Sequence, residues 1–367
     1  MAVRRSATRG LFVVLAWVAG CQLVSGLPDE LSLGTGGGGG GVEPAVCVRD
    51  EVPAAPAVQG AGGEEEFVVA LRTISLEDNP DGALPGMNLD GLCSCAEDGP
   101  ACRSLDSDSG GGTCDDGAGR DAGSNIVFGA LGYLLQVADT SSSFSALAES
   151  GGWTLLLRVR GYSGTAEDDE VEVSWYESPG RAAPAWQGSD AWPVASDAVT
   201  PGQSDPYAAK YRDPVAYVTG GKLVALLPAA SLRFAGGDMS MRLQLVDARL
   251  VARIEAIPGG RYRLREGKIG ARIPVPEVFA ALSSLRTMSG APLCTDAPLY
   301  PATKNLTCRA VDLLLGEPDE DTPCEALSFG ANFHTEPAAL GPVLPLPEAP
   351  AGCASEVDPI SDTCAEL

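Results

Sequence analysis

The chain has one histidine, His334, in 367 residues, which removes the commonest acid–base group near neutral pH from most catalytic schemes. His334 stands in Phe329-Gly330-Ala331-Asn332-Phe333-His334-Thr335, beside no serine nucleophile motif and at no metal-ligand spacing. No Gly-x-Ser-x-Gly elbow, no His-Glu-x-x-His and no phosphate loop ending in Gly-Lys-Ser or Gly-Lys-Thr occurs. Positive charge is scarce too: 25 Lys and Arg oppose 49 Asp and Glu, a formal net charge of −24. Such a field repels nucleic acid and anionic headgroups and attracts cations. The apolar core at the N-terminus is short. A helix of about nine residues is roughly 14 Å long, too short to cross a hydrocarbon layer.

What is present begins with an export signal. Arg4, Arg5 and Arg9 precede the apolar run from Leu11 to Val18, and the small residues Ala19 and Gly20 precede Cys21. That order of charge, greasy core and small-residue exit predicts a cleaved signal peptide over 1–20. Val18-Ala19-Gly20-Cys21 resembles the lipobox of bacterial lipoproteins. The resemblance implies that the Cys21 thiol carries a diacylglyceryl group, that cleavage falls before it, and that acyl chains hold the protein on a membrane. Gln22, where Asp would imply inner-membrane retention, points to the outer membrane.

Cysteine arithmetic agrees. Of 11 cysteines, setting Cys21 aside leaves ten: Cys47, Cys93, Cys95, Cys102, Cys114, Cys294, Cys308, Cys324, Cys353 and Cys364. Ten can close five disulfides in an oxidising compartment, with connectivity left open. The clusters at 93–114 and 294–364 favour mostly local pairing, with Cys47 tied to one of them. A Cys93–Cys95 bridge is disfavoured, because a disulfide needs β-carbons about 3.8 Å apart without strain. Removing the leader also removes three arginines, leaving 22 basic (25 − 3) against 49 acidic residues and a net charge of −27.

The remaining chain divides by composition. Residues 21–63, with the run from Gly36 to Gly41 and many Ala and Pro, read as a lipidated tether. Residues 64–274 read as mainly strand, with an acidic cysteine loop at 88–125. Candidate strands are 67–74, 133–137, 153–160 and 171–176, the last two as an antiparallel pair; alternation is cleanest from Met239 to Ile254 and resumes at Tyr262 and through Ile269 to Ile273. Residues 275–367 read as helical and irregular, stapled by disulfides onto the body, with helices expected over 275–288 and 310–315. The fold class expected is mainly β, an antiparallel β-sandwich or jelly-roll-like body with one or two short helices. The strand rhythm resembles that of the concanavalin-like jelly rolls.

The acidic loop carries the densest polar chemistry. Asp106, Asp108, Asp115, Asp116, Asp121 and Asn125 lie among glycines, with Asn88, Asp90, Glu97 and Asp98 upstream. Calcium takes six to eight oxygens, often from alternate residues of a glycine-bearing loop. Ca2+ is therefore the expected ion, although no glutamate stands at the twelfth position that an EF-hand needs. A solvated, disulfide-stapled loop without an ion is the competing reading; zinc on Cys93, Cys95, Cys102 and Cys114 is disfavoured by the oxidising compartment.

Two further site readings follow. Trp175, Tyr176, Trp186 and Trp192 cluster in sequence with Gln187, Asp190 and Asp197, a composition suited to stacking on sugar rings or peptide while amides and carboxylates fix hydroxyls. Burial of those rings in the core is the alternative. Carboxylate-only glycoside hydrolysis, with Glu170, Glu172 and Glu177 as the acids, is a third reading.

Asn88-Leu89-Asp90-Gly91 and Cys114-Asp115-Asp116-Gly117-Ala118-Gly119-Arg120-Asp121 resemble a pattern in lipoprotein families of myxobacteria, and Leu293-Cys294-Thr295-Asp296, Pro298-Leu299-Tyr300 and Pro323-Cys324-Glu325-Ala326-Leu327-Ser328-Phe329-Gly330 resemble their carboxy-terminal signature. The resemblance implies origin and location, not an activity. Together these features predict an exported, membrane-anchored module that binds a glycan or an envelope protein and is stabilised by calcium. The alternatives are a structural envelope protein and a hydrolase.

Overall fold

The computed structural model describes residues 47–76, 83–105, 113–121, 123–134, 140–236, 239–286, 290–348 and 352–364. The leader, Cys21 and most of the tether lie outside them. Residues Pro44–Leu367 group as one compact unit.

The mainly-β expectation holds. In chain order the described elements are β1 (Glu65–Ser75), β2 (Cys102–Arg103), α1 (Gly123–Leu134), α2 (Thr140–Glu149), β3 (Thr154–Tyr162), β4 (Asp168–Ser178), β5 (Ala191–Ala195), β6 (Tyr211–Thr219), β7 (Lys222–Gly236), β8 (Met239–Ile257), β9 (Arg261–Pro274), α3 (Val275–Ser283), α4 (Tyr300–Ala310), β10 (Asp319–Pro323) and β11 (Ala326–Leu344). A nine-stranded sheet runs β1-β3-β4-β6-β7-β8-β9-β11-β5, and β1 also pairs with β11. All strands of this sheet but β5 therefore close a ring of eight, and every pairing within it is antiparallel.

The sandwich or jelly-roll shape is not borne out by this pairing, in which eight strands of the large sheet close on themselves while β2 and β10 form a separate two-stranded sheet. Period-two alternation is the same in both architectures, so it could not separate them. In β3, Leu155, Leu157 and Val159 join the main core, while Leu156 between them joins a second cluster on the other face. The same split separates Val69 and Leu71 from Ala70 in β1, and Leu223 and Ala225 from Val224 in β7. Helix α2 packs where β3 begins and β7 ends, with Phe144 stacked on Phe234 at 4.3 Å and Trp153 edge-on to Phe234 at 4.9 Å. Each such side chain contributes about 1.5–3 kcal/mol by leaving water. The outer face carries ion pairs, among them Arg160–Glu172 and Arg263–Glu255, where a lipid-facing barrel carries an apolar band.

Strand β11 is the main departure from expectation. Residues 275–367 were expected to lie irregularly against the body, yet Ala326–Phe333 pair with β9 and Asn332–Ala338 pair with β1. The C-terminal region thus completes the ring. Pro337, Gly341 and Pro342 read as loop in the sequence and concealed the strand. Tyr133 and Leu134, expected to begin a strand, end α1; 135–137 lie outside the described residues. A short apolar run fits either element when its length alone must decide. The helix expected from 275 is α3, whereas the one expected over 310–315 is replaced by α4, which ends at Ala310. Beyond it Leu313 bridges Ala326.

All ten expected cysteines are paired: Cys47–Cys93, Cys95–Cys114, Cys102–Cys324, Cys294–Cys353 and Cys308–Cys364. Cys102–Cys324 departs from local pairing, tying the acidic loop to the chain just before β11.

Candidate metal centre

The acidic loop lies against the outer wall of the ring because two glycines leave room for it. Gly270 of β9 and Gly330 of β11 are directly paired, and both lie on the outward face, between interior Ile269 and Ala271 and between Phe329 and Ala331. A β-carbon on Gly270 would stand 2.6 Å from Met87 Cγ, and one on Gly330 would overlap the Pro85 carbonyl. Gly86, at φ +93°, turns the chain over this shelf. Met87 and Leu89 then bury against Val251, Val311 and Leu313.

This placement fixes the polar residues that follow. Arg272 donates through Nη2 to the Leu89 carbonyl at 2.8 Å, and the Leu89 N–H donates to Asp121 Oδ2 at 2.8 Å. Asn88 Oδ1 accepts from the Gly91 N–H at 2.6 Å, and its Nδ2 donates to the Leu92 carbonyl at 2.7 Å. Asp90 Oδ1 accepts from the Leu92 N–H at 2.8 Å, while its Oδ2 is buried and accepts no hydrogen bond. Asp115 Oδ2 accepts from the Ser94 N–H at 2.7 Å.

Asp90, Asp115 and Asp121 thereby converge, each offering an oxygen within 4.8 Å of the others. Asp312 stands near them, held by the Gly123 N–H and by the Ser328 N–H and hydroxyl. Burial pushes the Asp115 carboxyl up to about 7, with Asp90, Asp312 and Asp116 adding repulsion. Asp121, 5% exposed, is raised well above the ordinary carboxylate range by burial and by repulsion from Asp90, Asp312 and Asp115. Asp312 is raised to about 6 by burial, against its Ser328 and Gly123 donors. Burial also raises Asp90, and the Arg272 guanidinium opposes that rise. A cavity of about 20 Å³, lined by Ser94, Thr113, Asp115, Asp121 and Asp312 among others, adjoins the group and has room for one ion or one water. Buried like charges with an unfilled acceptor suit a hard cation, so the buried aspartates can hold a divalent ion.

The sequence reading and the site overlap at Asp115 and Asp121. Asp116 is drawn away: it accepts from the Ala118 and Arg120 N–H groups and pairs with the Arg120 guanidinium. Asn125 lies on α1 outside the trio, and Asp106 and Asp108 lie outside the described residues. Asp90 was not among the expected ligands. Its signal was the tight turn of Asn88-Leu89-Asp90-Gly91, but Asp90 is 25 residues before Asp115, and the disulfides that bring them together cannot be paired from sequence.

The aromatic cluster does not form one surface. Trp175 lies in the main core, with Nε1 donating to the Ser231 carbonyl at 2.7 Å. Tyr176, its neighbour, and Trp192 are fully buried in the second cluster, outside β3 and β4 and beneath β5. Trp186 alone of the four is half-exposed, packed on Trp192 at 5.1 Å and donating to the Glu149 carbonyl at 3.0 Å. Three of the four rings are therefore closed to a ligand. The carboxylates of the hydrolase reading are also dispersed: Glu172 pairs with Arg160, and buried Glu177 pairs with Arg242.

A groove of about 490 Å³ opens beside the aspartates, lined by Glu51, Asn88, Asp90, Asp247, Arg249 and Arg272 among others. Asp247, at φ +50° in a bulge of β8, holds both Arg249 and Arg272. Asp90 belongs to both the trio and this groove.

No family model, curated protein or solved structure matches the chain. No helix among the described residues is long and apolar enough to cross a membrane.

Proposed function

We propose that this protein is an exported, lipid-anchored envelope protein whose ring-shaped body binds glycans through a calcium ion held by Asp90, Asp115 and Asp121. The observation that carries the reading is the double membership of Asp90, a residue of the aspartate trio that also lines the 490 Å³ groove. Calcium takes six to eight oxygens, and three carboxylates supply between three and six. The remaining positions suit water or the vicinal hydroxyls of a sugar entering from the groove. Guanidinium groups of Arg249 and Arg272 stand there to donate hydrogen bonds. The lipobox resemblance at Cys21 and the pairing of every described cysteine support export to an oxidising compartment.

The test is a glycan array probed with the full chain in calcium and again in chelator, beside the Asp90→Ala variant. Binding should appear in calcium, vanish with chelator and be lost in the variant, and the mass of the N-terminal peptide should show acylated Cys21. Calcium-dependent stabilisation without retention of any glycan would leave the ion a structural role and overturn the glycan-binding part. An unmodified Cys21 in a mature envelope protein would overturn the anchor.

A further inference from the structure

One disulfide differs from the other four in a way that bears on the cation site. Cys93, Cys102, Cys308, Cys324, Cys294, Cys47 and Cys364 are all buried, so each other bridge has at least one sulfur-bearing residue shielded. Cys95 and Cys114 are both exposed. Cys95 also sits at φ +66°, the left-handed region that a residue with a β-carbon adopts at a cost and that glycine favours. A thiolate must reach a disulfide sulfur along the S–S axis, so access selects which bridge is exchanged.

The position of the bridge gives that exchange a consequence. Ser94 and Asp115 are the chain neighbours of Cys95 and Cys114, and the Ser94 N–H donates to Asp115 Oδ2 at 2.7 Å. The disulfide and this hydrogen bond are consecutive links between the same two chain segments. Asp121 is held separately through the Leu89 N–H, and Asp90 through the Leu92 N–H. Asp115 is therefore the ligand whose placement the bridge controls.

We infer that Cys95–Cys114 is a thiol–disulfide exchange site for a dithiol reductant, and that opening it weakens cation binding by releasing Asp115. This deepens the proposed cation site and rests on it. In the exchange, one thiolate of the reductant attacks a sulfur of the bridge, the Cys95–Cys114 S–S bond breaks, and the departing thiolate takes up a proton. The second thiolate of the reductant then attacks the mixed disulfide and releases the other cysteine, which is also protonated. The reductant is oxidised to its own disulfide by two electrons, and the protein gains two thiols. By linkage, cation binding opposes the opening to the same degree that opening weakens the cation.

The experiment uses the full chain with dithiothreitol as the probe, in calcium and in chelator. Alkylation at intervals followed by peptide mass analysis reads which cysteines are freed and how fast. Cys95 and Cys114 should be labelled first, and at equilibrium with the reductant calcium should lower the ratio of opened to closed bridge about tenfold, seen as less labelling. Calorimetric titration of calcium into the oxidised chain and into the C95A/C114A variant should show affinity about tenfold weaker in the variant; should the variant not fold, the calcium dependence of labelling in the unaltered chain decides alone. Earlier labelling of any other pair overturns the exchange site whatever the ion does. Equal affinity in both forms, with labelling indifferent to calcium, overturns the coupling and leaves the cation site standing. Failure of the oxidised chain to bind calcium overturns the cation reading and the coupling with it.

Discussion

In calcium-free solution the folded protein should lose stability as the pH rises from about 4 to about 7, and millimolar calcium should remove most of that loss. Asp115 carries the clearest part of the effect, since its carboxyl is held up to about 7 in the fold against an ordinary value of 3.8. Between those values the folded chain binds more protons than the unfolded one. The contribution is therefore full below the unfolded value and is lost as pH climbs through the folded value. Asp121 and Asp90 are displaced in the same direction. A displacement of about 3 units corresponds to at most ~4 kcal/mol, and solvent screening at the half-buried Asp115 reduces it. Calcium takes the place of the protons, so its affinity should rise with pH over the same window. Thermal melts at pH 4 to 8, with chelator and with calcium, read both trends. In Asp121→Asn the calcium increment should disappear and the pH slope should flatten, because the amide keeps an acceptor for the Leu89 N–H while removing a charge. A calcium-free melting temperature that climbs steadily from pH 4 to 7 would count against the acidic trio.

Gly330→Val should cost about 3 kcal/mol or more and remove the calcium increment as well. A side chain there would overlap the Pro85 carbonyl, and the directly paired Gly270 is already filled over by Met87. The wall is made of backbone on both sides, so neither can yield without moving the loop. Lifting the loop would expose Met87 and Leu89 and separate Asp90 from Asp121. Denaturant unfolding with and without calcium measures both losses. Gly316→Ala is the control, since a β-carbon at Gly316 meets nothing within 4 Å and should leave both values unchanged. A Gly330 variant that unfolds like the original chain would show that the shelf does not position the site.

Most strands were legible because alternation survives wherever one face is buried. Met241, Leu243 and Leu245 announced β8, and Leu155, Leu157 and Val159 announced β3. Closure into a ring was not legible, since it depends on which strand meets β1, and that partner is β11 with its prolines and glycines. Asp115 and Asp121 could be named because acidic residues crowded into one cysteine loop. Asp90 could not, because its approach depends on the Gly270–Gly330 shelf and on bridges that sequence does not pair. Of the two readings of the aromatic cluster, core burial describes Trp175, Tyr176 and Trp192, and the strand makes the first two face opposite sides because they are adjacent.

The pairing of β1 with β11 sets an order of events for the chain. Val68 meets Ala338, 270 residues later (338 − 68), so the first strand waits with one edge bare until β11 has been delivered. Such distant partners make folding slow, and a waiting edge invites pairing with other molecules. If the chain is exported as proposed, that delay falls beyond the membrane, where the ring can shut only once β11 has followed β1 across.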